Sequence, residues 1–516
     1  MYPGTFARTD PGRVAAVMAR SGEQLTYGDL DERSRRLSRL LYDAGLRRGD
    51  VVALLTDNAL PAFEVYWAAL RSGLYLTAVN SHLTAGEAAY IIGDCGARVL
   101  VVSAGLGDLA AQVVDKCPAA GLRLAYGGAV AGCEPYEAGL AATDSGADVP
   151  ELRCGASMLY SSGTTGRPKG VRPQLPEHRV DEQDVALTLL ARFFFDFGGE
   201  PLVYLSPAPL YHAAPLRWCG TVHAVGGTVV LMDRFDAAQA LRAIEQYGVT
   251  HSQWVPTMFV RMLRLPQDVR SRHDLSSHRV AVHAAAPCAV EVKKAMIDWW
   301  GPILREYYAA TEGNGFTCID SAQWAARPGS VGRPVLGVLR ICDDEGRELP
   351  AGEVGTVYFE QDQPPFEYLH DQDKTQASRH FAHPGWTTVG DMGYADEDGY
   401  LYLTDRKAFM IISGGVNIYP QEIENALALH PAVADVAVIG VPDAEMGEAV
   451  KAVVQPAPGA RAHPGDELAA ELTAYLRERL AGFKIPRSYA FVAELPRTPT
   501  GKLLKNEVKK SYGQAP

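Results

Sequence analysis

The chain lacks any cluster of metal-binding cysteines. Its eight are scattered at 95, 117, 133, 154, 219, 288, 318 and 342, and no close CxxC or Cys/His grouping supports a zinc or iron–sulfur site. Scattered in this way they read as small buried residues in a reducing compartment. The first residues, MYPGTFARTDPGR, lack the basic-then-apolar succession of a signal peptide. Uninterrupted hydrophobic runs are missing too: PLVYLSPAPLYHAAPL at 201–216 contains four prolines and does not read as a transmembrane helix. The expected location is therefore the cytoplasm, with no integral membrane segment. Positive charge is scarce, and a formal net charge of −12 argues against broad affinity for nucleic acid or anionic membranes. A Walker A motif, GxxxxGK[ST], is also absent, so a P-loop nucleotide triphosphatase does not follow.

What is present describes a globular protein of more than one domain: 516 residues, 47% of them hydrophobic and 21% charged. Strand-like runs alternate with helical patterns. VVALLTDN at 51–58 leads into AFEVYWAALRSG at 62–73, and TAGEAAYIIGDCG precedes ARVLVVSA at 97–104. GGTVVLMD, AAQALRAIEQYG and VTHSQWVP repeat the alternation over 226–256. This predicts α/β architecture with crossover helices, but not the strand order. After about residue 330 the pattern turns to hairpins, followed by helices at 419–431 and 466–480. The expected fold class is α/β and α+β multidomain. Residues 1–405 form a large N-terminal domain and residues 406–516 a smaller α+β one, with the boundary at Asp405–Arg406–Lys407.

One stretch, SMLYSSGTTGRPKG at 157–170, alternates hydroxyl residues with glycine before a proline and a lysine. Glycines let the main chain approach an anion closely and turn its N–H groups outward. Ser161, Ser162, Thr164 and Thr165 add donors around Gly163 and Gly166, and Lys169 adds charge. Such a run is a phosphate cradle or a plain surface loop, and the run alone does not decide between them.

YSSGTTGRPKG resembles the signature of the adenylate-forming (AMP-binding) superfamily, which includes acyl-CoA synthetases, aryl-CoA ligases, carrier-protein adenylation domains and luciferases. Further blocks follow in the family's order: HAAAP at 283–287, EYYAATEG at 306–313, GE-G at 352–355, VGDMGYADEDGYLYLTDRK at 389–407, MIISGGVNIYPQEIE at 410–424 and PRTPTGKLLK at 496–505. Seven ordered blocks over more than 300 residues make the resemblance specific where any single one would be weak. It resolves the loop as a phosphate cradle.

The resemblance implies a chemistry: a carboxylate attacks the α-phosphate of ATP, pyrophosphate leaves, and an acyl-adenylate forms. Ser162, Thr164, Thr165 and Lys169 would grip the departing phosphates. Tyr308, with Tyr307 beside it, would lie against adenine, and Ala285, Ala286 and Pro287 would form another wall. Thr311 would bond the α-phosphate and Glu312 would hold Mg2+. Asp391 and Arg406 resemble the ribose-binding pair. Lys502 matches the catalytic lysine, which neutralises charge as the carboxylate attacks. The smaller domain would be mobile, presenting Lys502 first and then a face of Ser413, Gly414 and Gly415 along which a pantetheine thiol enters. Two positions depart from the pattern: Ala309 stands where glycine is common, and Ala408 stands where the hinge region often carries charge.

By family placement the acid pocket draws on Tyr211, His212, Trp218, Trp254, Ala284 and Phe316. No Asp or Lys there matches an amino-acid ammonium, which favours an apolar acyl or aryl acid. Alanines at 284–286 narrow the space and disfavour a very long straight chain, leaving compact aromatic, alicyclic and medium-chain acids. Coenzyme A is the expected acceptor because no carrier domain follows residue 516. A separate carrier protein or a nitrogen nucleophile is the alternative, and a catalytically silent binding protein is a third reading. Homodimers occur among similar enzymes, although no sequence feature isolates an interface.

Overall fold

The protein is described by a computed structural model covering residues 2–144, 149, 153–161, 168–182, 185–199, 201–406, 409–414, 416–428, 430–443, 445–457, 465–497 and 503–513, with the side chains of 405 and 406 excluded. It has a mixed α/β multidomain fold, with a large N-terminal domain and a C-terminal one.

Two large sheets dominate the N-terminal domain. The first has six strands in the order Glu134–Pro135, Leu122–Tyr126, Ala97–Ser103, Val51–Leu55, Tyr75–Val79 and Ala156–Ser157, all parallel. Its central strands read VVALL and ARVLVVS because a parallel sheet covered on both faces needs apolar residues on both. The second has nine strands: Arg333–Leu336, Phe316–Asp320, Leu304–Ala309, Val280–His283, His251–Trp254, Val203–Ser206, Thr228–Leu231, Val14–Met18 and Gln24–Thr26. It is parallel in the middle and antiparallel at both edges.

A shared core joins the sheets. Val52 and Leu54 from the first and Val229 and Leu231 from the second belong to one buried cluster, with the helix Pro61–Arg71 between them. Ten of that helix's eleven residues are buried, which explains why its sequence, PAFEVYWAALR, is apolar nearly all round. Its Glu64 is stabilised there by Arg33 at 2.8 Å and by the Tyr136 hydroxyl at 2.8 Å.

A five-stranded antiparallel sheet follows, including the hairpin Asp391–Ala395 with Leu401–Arg406. The C-terminal domain is built on the long hairpin Val433–Asp443 with Gly447–Pro456. Helices Pro420–Leu427 and Asp466–Arg477 pack on one face and Lys505–Tyr512 on the other. Arg264 of the large domain donates to the carbonyls of Val433 and Ala434 at 3.2 and 3.0 Å. The helices expected over 419–431 and 466–480 are shorter than their patterns, ending at Leu427 and Arg477.

Candidate active site

In open α/β sheets, ligands gather at the carboxyl ends of the parallel strands. Three segments singled out by sequence leave the nine-stranded sheet at that edge. Residues 207–212 follow Val203–Ser206, residues 284–287 follow Val280–His283, and residues 310–314 follow Leu304–Ala309.

The Tyr308 hydroxyl donates to Asp391 Oδ2 at 2.6 Å. Asp391 opens its strand directly across from Arg406 in the antiparallel register. An aromatic face, a buried carboxylate and the backbone position of Arg406 therefore converge, which suits a nucleoside. Ala285 has φ +74°, a left-handed conformation uncommon outside glycine, and it turns the 284–287 segment sharply as it leaves its strand.

The strands that flank the cradle sequence are paired. Leu159–Ser161 pairs with Lys169–Pro173, bringing Ser161 opposite Lys169. The base of this pair is pinned by the Tyr160 hydroxyl on Asp94 at 2.6 Å, the Tyr75 hydroxyl on the Pro173 carbonyl at 2.7 Å, and the Thr77 hydroxyl on the Met158 carbonyl at 2.9 Å. Ser162, Gly163, Thr164, Thr165 and Gly166 lie outside the described residues, as do Ala408, Gly415, Lys502 and the side chain of Arg406.

Several side chains that sequence reasoning missed bear on this site. Lys169 is ion-paired with Asp371, whose carboxyl the neighbouring ammonium holds below its ordinary range. Tyr368, on the strand Phe366–Tyr368 paired to the cradle hairpin, donates to Glu312 Oε1 at 2.9 Å. Arg217 donates to Ser157 Oγ at 2.9 Å and to the carbonyls of Ser157 and Thr311 at 3.3 Å each. Burial lowers the pKa of its guanidinium, and among the described residues no carboxylate forms an ion pair with it. An arginine inside the otherwise apolar run AAPLRWCG was the available signal for this one. Asn58 accepts from Leu210 N at 2.8 Å and donates to the carbonyls of Met232 and Ala208 at 2.8 and 3.2 Å, fixing the segment that carries Tyr211 and His212. Tyr211 is buried against His82, and His212 occupies the position just before the helix Ala213–Ala224, with no side-chain bond capping it.

Strand pleating separates two of the expected neighbours. Tyr307 does not share the nucleotide face with Tyr308, because successive strand residues point to opposite sides of a sheet. Its hydroxyl accepts from Trp218 Nε1 at 3.1 Å and Gln253 Nε2 at 2.8 Å, its ring stacks on Phe316 at 4.8 Å, and burial pushes its pKa up to about 12. Tyr307 therefore lies on the face that carries Trp218 and Phe316. Trp254 takes the opposite face for the same reason. Gln253 takes the Trp218 side, while Trp254 packs behind the sheet against Phe259 and Trp300. Trp218, Phe316 and Ala284 stay together with Tyr307 in one cluster.

Next to the strands Val280–His283 and Leu304–Ala309, Lys293 donates to Glu306 at 2.6 Å, with neutral His283 at 3.7 Å. Burial holds the Glu306 carboxyl up and the His283 imidazole well below its ordinary value. In the smaller domain, Ser413 and Gly414 line a 570 Å3 groove with Met446, Arg477, Phe483 and Arg487. Gly414 has φ +57°, and a Cβ there would meet the end of Met446.

Among the described residues, no group of three or more His, Cys, Asp or Glu side chains could hold a metal ion, and no helix is long and apolar enough to cross a membrane. A single carboxylate such as Glu312 fits Mg2+ that takes most of its ligands from phosphates and water.

Strand-end segments beside the Tyr308–Asp391 pair, with the hairpin of Leu159–Ser161 and Lys169–Pro173, are the arrangement expected of an adenylate-forming enzyme. The chain belongs to the family of AMP-binding enzymes: the family model matches residues 5–366, and that of the AMP-binding enzyme C-terminal domain matches 422–502. It is 35% identical over 500 residues to a fatty acid–[acyl-carrier-protein] ligase of Streptomyces coeruleorubidus, covering 95% of this chain and 92% of that one. It is also 35% identical over 519 residues to a feruloyl-CoA synthase of Amycolatopsis, covering 99% and 98%. Among solved structures it superposes on an amide bond synthetase of Marinactinospora thermotolerans with a TM-score of 0.81, at 28% identity and 99% and 100% coverage.

Proposed function

We propose that this ligase activates an apolar carboxylic acid as its adenylate and passes the acyl group to coenzyme A, releasing AMP. The observation that supports it best is the convergence of three strand-end segments on the Tyr308–Asp391 pair, with the cradle hairpin at their side. Both reactants are anions, so the site must supply positive charge and oriented donors before they meet. Lys169, Thr311 and Arg217 are assigned that task together with the cradle residues, and Lys502 is assigned the charge that develops during attack. Asp371 pairs with Lys169, and incoming phosphates would compete for the same ammonium. Asp391 and Arg406 are assigned to the ribose. Glu312, oriented by Tyr368, would hold Mg2+, which would offset phosphate charge when bound. No general base is required, because the attacking carboxylate is already ionised.

The acid lies, in this reading, against Tyr211, Trp218, Phe316 and Tyr307. This wall is aromatic, without the carboxylate that an amino acid's ammonium would need. For the second half-reaction, the groove beside Ser413 and Gly414 offers an apolar wall for pantetheine, with Arg477 and Arg487 for phosphates. We place the domain boundary at 405/406 and the reaction in the cytoplasm, in keeping with eight free thiols. Transfer to a carrier protein is the second reading, supported by the kinship with a carrier-protein ligase.

The test is ATP-dependent pyrophosphate release over a panel of aryl, alicyclic and fatty acids, with and without coenzyme A, and mass detection of products. Acyl-CoA and AMP are expected. An adenylate that accumulates in the presence of coenzyme A would shift the acceptor to a carrier protein or another nucleophile. Lys502→Ala should abolish adenylate formation while ATP binding persists; unchanged adenylation would remove that lysine from the mechanism.

A further inference from the structure

The register of the nine-stranded sheet lays out a path away from the reacting centre. On the face beneath the helices Ala186–Phe194 and Ala213–Ala224, the cross-strand pairs are Ala309 with Phe316, Tyr307 with Cys318, and Arg305 with Asp320. These are successive rungs leading from Thr311 towards the far edge, about 13 Å for the four residues between Ala309 and Arg305. The inner rungs are packed with aromatic rings. At the outer rungs lies a 300 Å3 cavity, lined among others by Arg305, Cys318, Asp320 and Val335, and reaching the surface beside exposed Arg333.

Phe195 stands between them. It is fully buried, its ring lying 5.0 Å from Trp218 and 6.1 Å from both Tyr307 and Phe316, and it also lines the outer cavity. Two features hold it in place. Arg305 Nη1 donates to the Phe194 carbonyl at 2.8 Å, and Asp196 takes φ +60° as the chain passes on to Phe197, whose ring packs on Trp218 at 5.2 Å. Cys318 and Val335 pack against the same core cluster as Trp218 and Tyr307, and Phe195 is the ring that touches both this cluster's aromatic wall and the outer cavity.

We infer that Phe195 is the specificity-determining residue for acid length, closing the aromatic acid pocket off from the outer cavity at Arg305 and Cys318. This inference rests on the acid-pocket assignment above. The intact chain accepts compact ring acids and short chains. Removing the ring joins the two spaces and gives the tail of a longer linear acid an apolar route past Tyr307 and Cys318.

The test compares the full chain with Phe195→Ala and Phe195→Leu on linear acids of increasing length, by calorimetric titration and by ATP-dependent pyrophosphate release. In Phe195→Ala, affinity should rise about fourfold for each added methylene that enters the new space, the equivalent of about 0.8 kcal/mol. The intact chain should lose affinity beyond its short optimum. Phe195→Leu should fall between them and carries the comparison if the alanine variant does not fold. Adding Val335→Phe, which fills the cavity from its far side, should restore the short optimum. Identical length profiles in the intact chain and a folded variant, or no reversal by Val335→Phe, would overturn the inference. Length-dependent binding without pyrophosphate release would leave the gate standing and strike instead at the activation chemistry.

Discussion

Tyr308→Phe isolates the bond that ties the proposed adenine wall to the carboxylate assigned to the ribose. The substitution keeps the ring and removes only the hydroxyl that donates to Asp391 at 2.6 Å. Hydrogen bonds to a charged partner contribute about 1.5–3 kcal/mol, so ATP affinity should fall by roughly 10- to 150-fold if the carboxylate needs this donor to face the ribose. Half-buried Tyr308 packs on Phe359 at 6.2 Å, a contact that phenylalanine retains, so any loss of thermal stability should be confined to the missing hydrogen bond. Calorimetric ATP titration gives the affinity directly, and pyrophosphate release at saturating acid gives the kinetic counterpart. A raised KM for ATP with an unchanged KM for the acid is expected. ATP affinity within twofold of the intact chain would refute the reasoning, and the bond would then be structural.

Arg217→Gln should lower kcat/KM for adenylation by roughly 10- to 100-fold through the loss of charged bonds to Ser157 and Thr311, and Arg217→Lys should not rescue it because the forked geometry is lost. Ala285→Gly should stabilise the large domain by about 1 kcal/mol in urea unfolding, by relieving a left-handed alanine. Asp371→Asn should release Lys169 and lower the KM for ATP, an effect that shrinks as salt rises; an unchanged KM would separate Asp371 from phosphate binding. Acid should destabilise the chain steeply, because burial pulls His223 and His278 down to about 3 and His251 to about 4. Below the unfolded value of about 6.5 and down to about 4, the unfolded chain binds these protons and the folded chain does not. Stability therefore falls as pH drops, by at most about 4 kcal/mol per pH unit for the three together. Replacing His223, which accepts from Trp67 Nε1 and donates to the Ala15 carbonyl, with glutamine should flatten that slope in denaturant titrations at pH 4.5–7.

Alternating α/β elements, the hairpin-rich later part and the helical C-terminal segments were legible because their periodicities are local. Strand order was not, since the nine-stranded sheet pairs Val14–Met18 with Thr228–Leu231, more than 200 residues away. The same limit applies within the site. Ordered motifs pointed to Tyr308, Asp391 and Lys169, but Asp371 and Tyr368 reach the cradle through a pairing of Lys169–Pro173 with Phe366–Tyr368 that no local pattern announces. The faces that Tyr307 and Trp254 take were not legible for a different reason. Motif blocks give proximity in sequence, whereas strand pleating decides which of two neighbours faces the substrate.

Ala285 gives the cleft an evolutionary reading. Every alanine codon lies a single nucleotide from a glycine codon, and glycine would occupy φ +74° without strain. The methyl costs this turn backbone strain that glycine would not carry, so a stabilising substitution lies a single nucleotide away at the segment that leaves the strand Val280–His283.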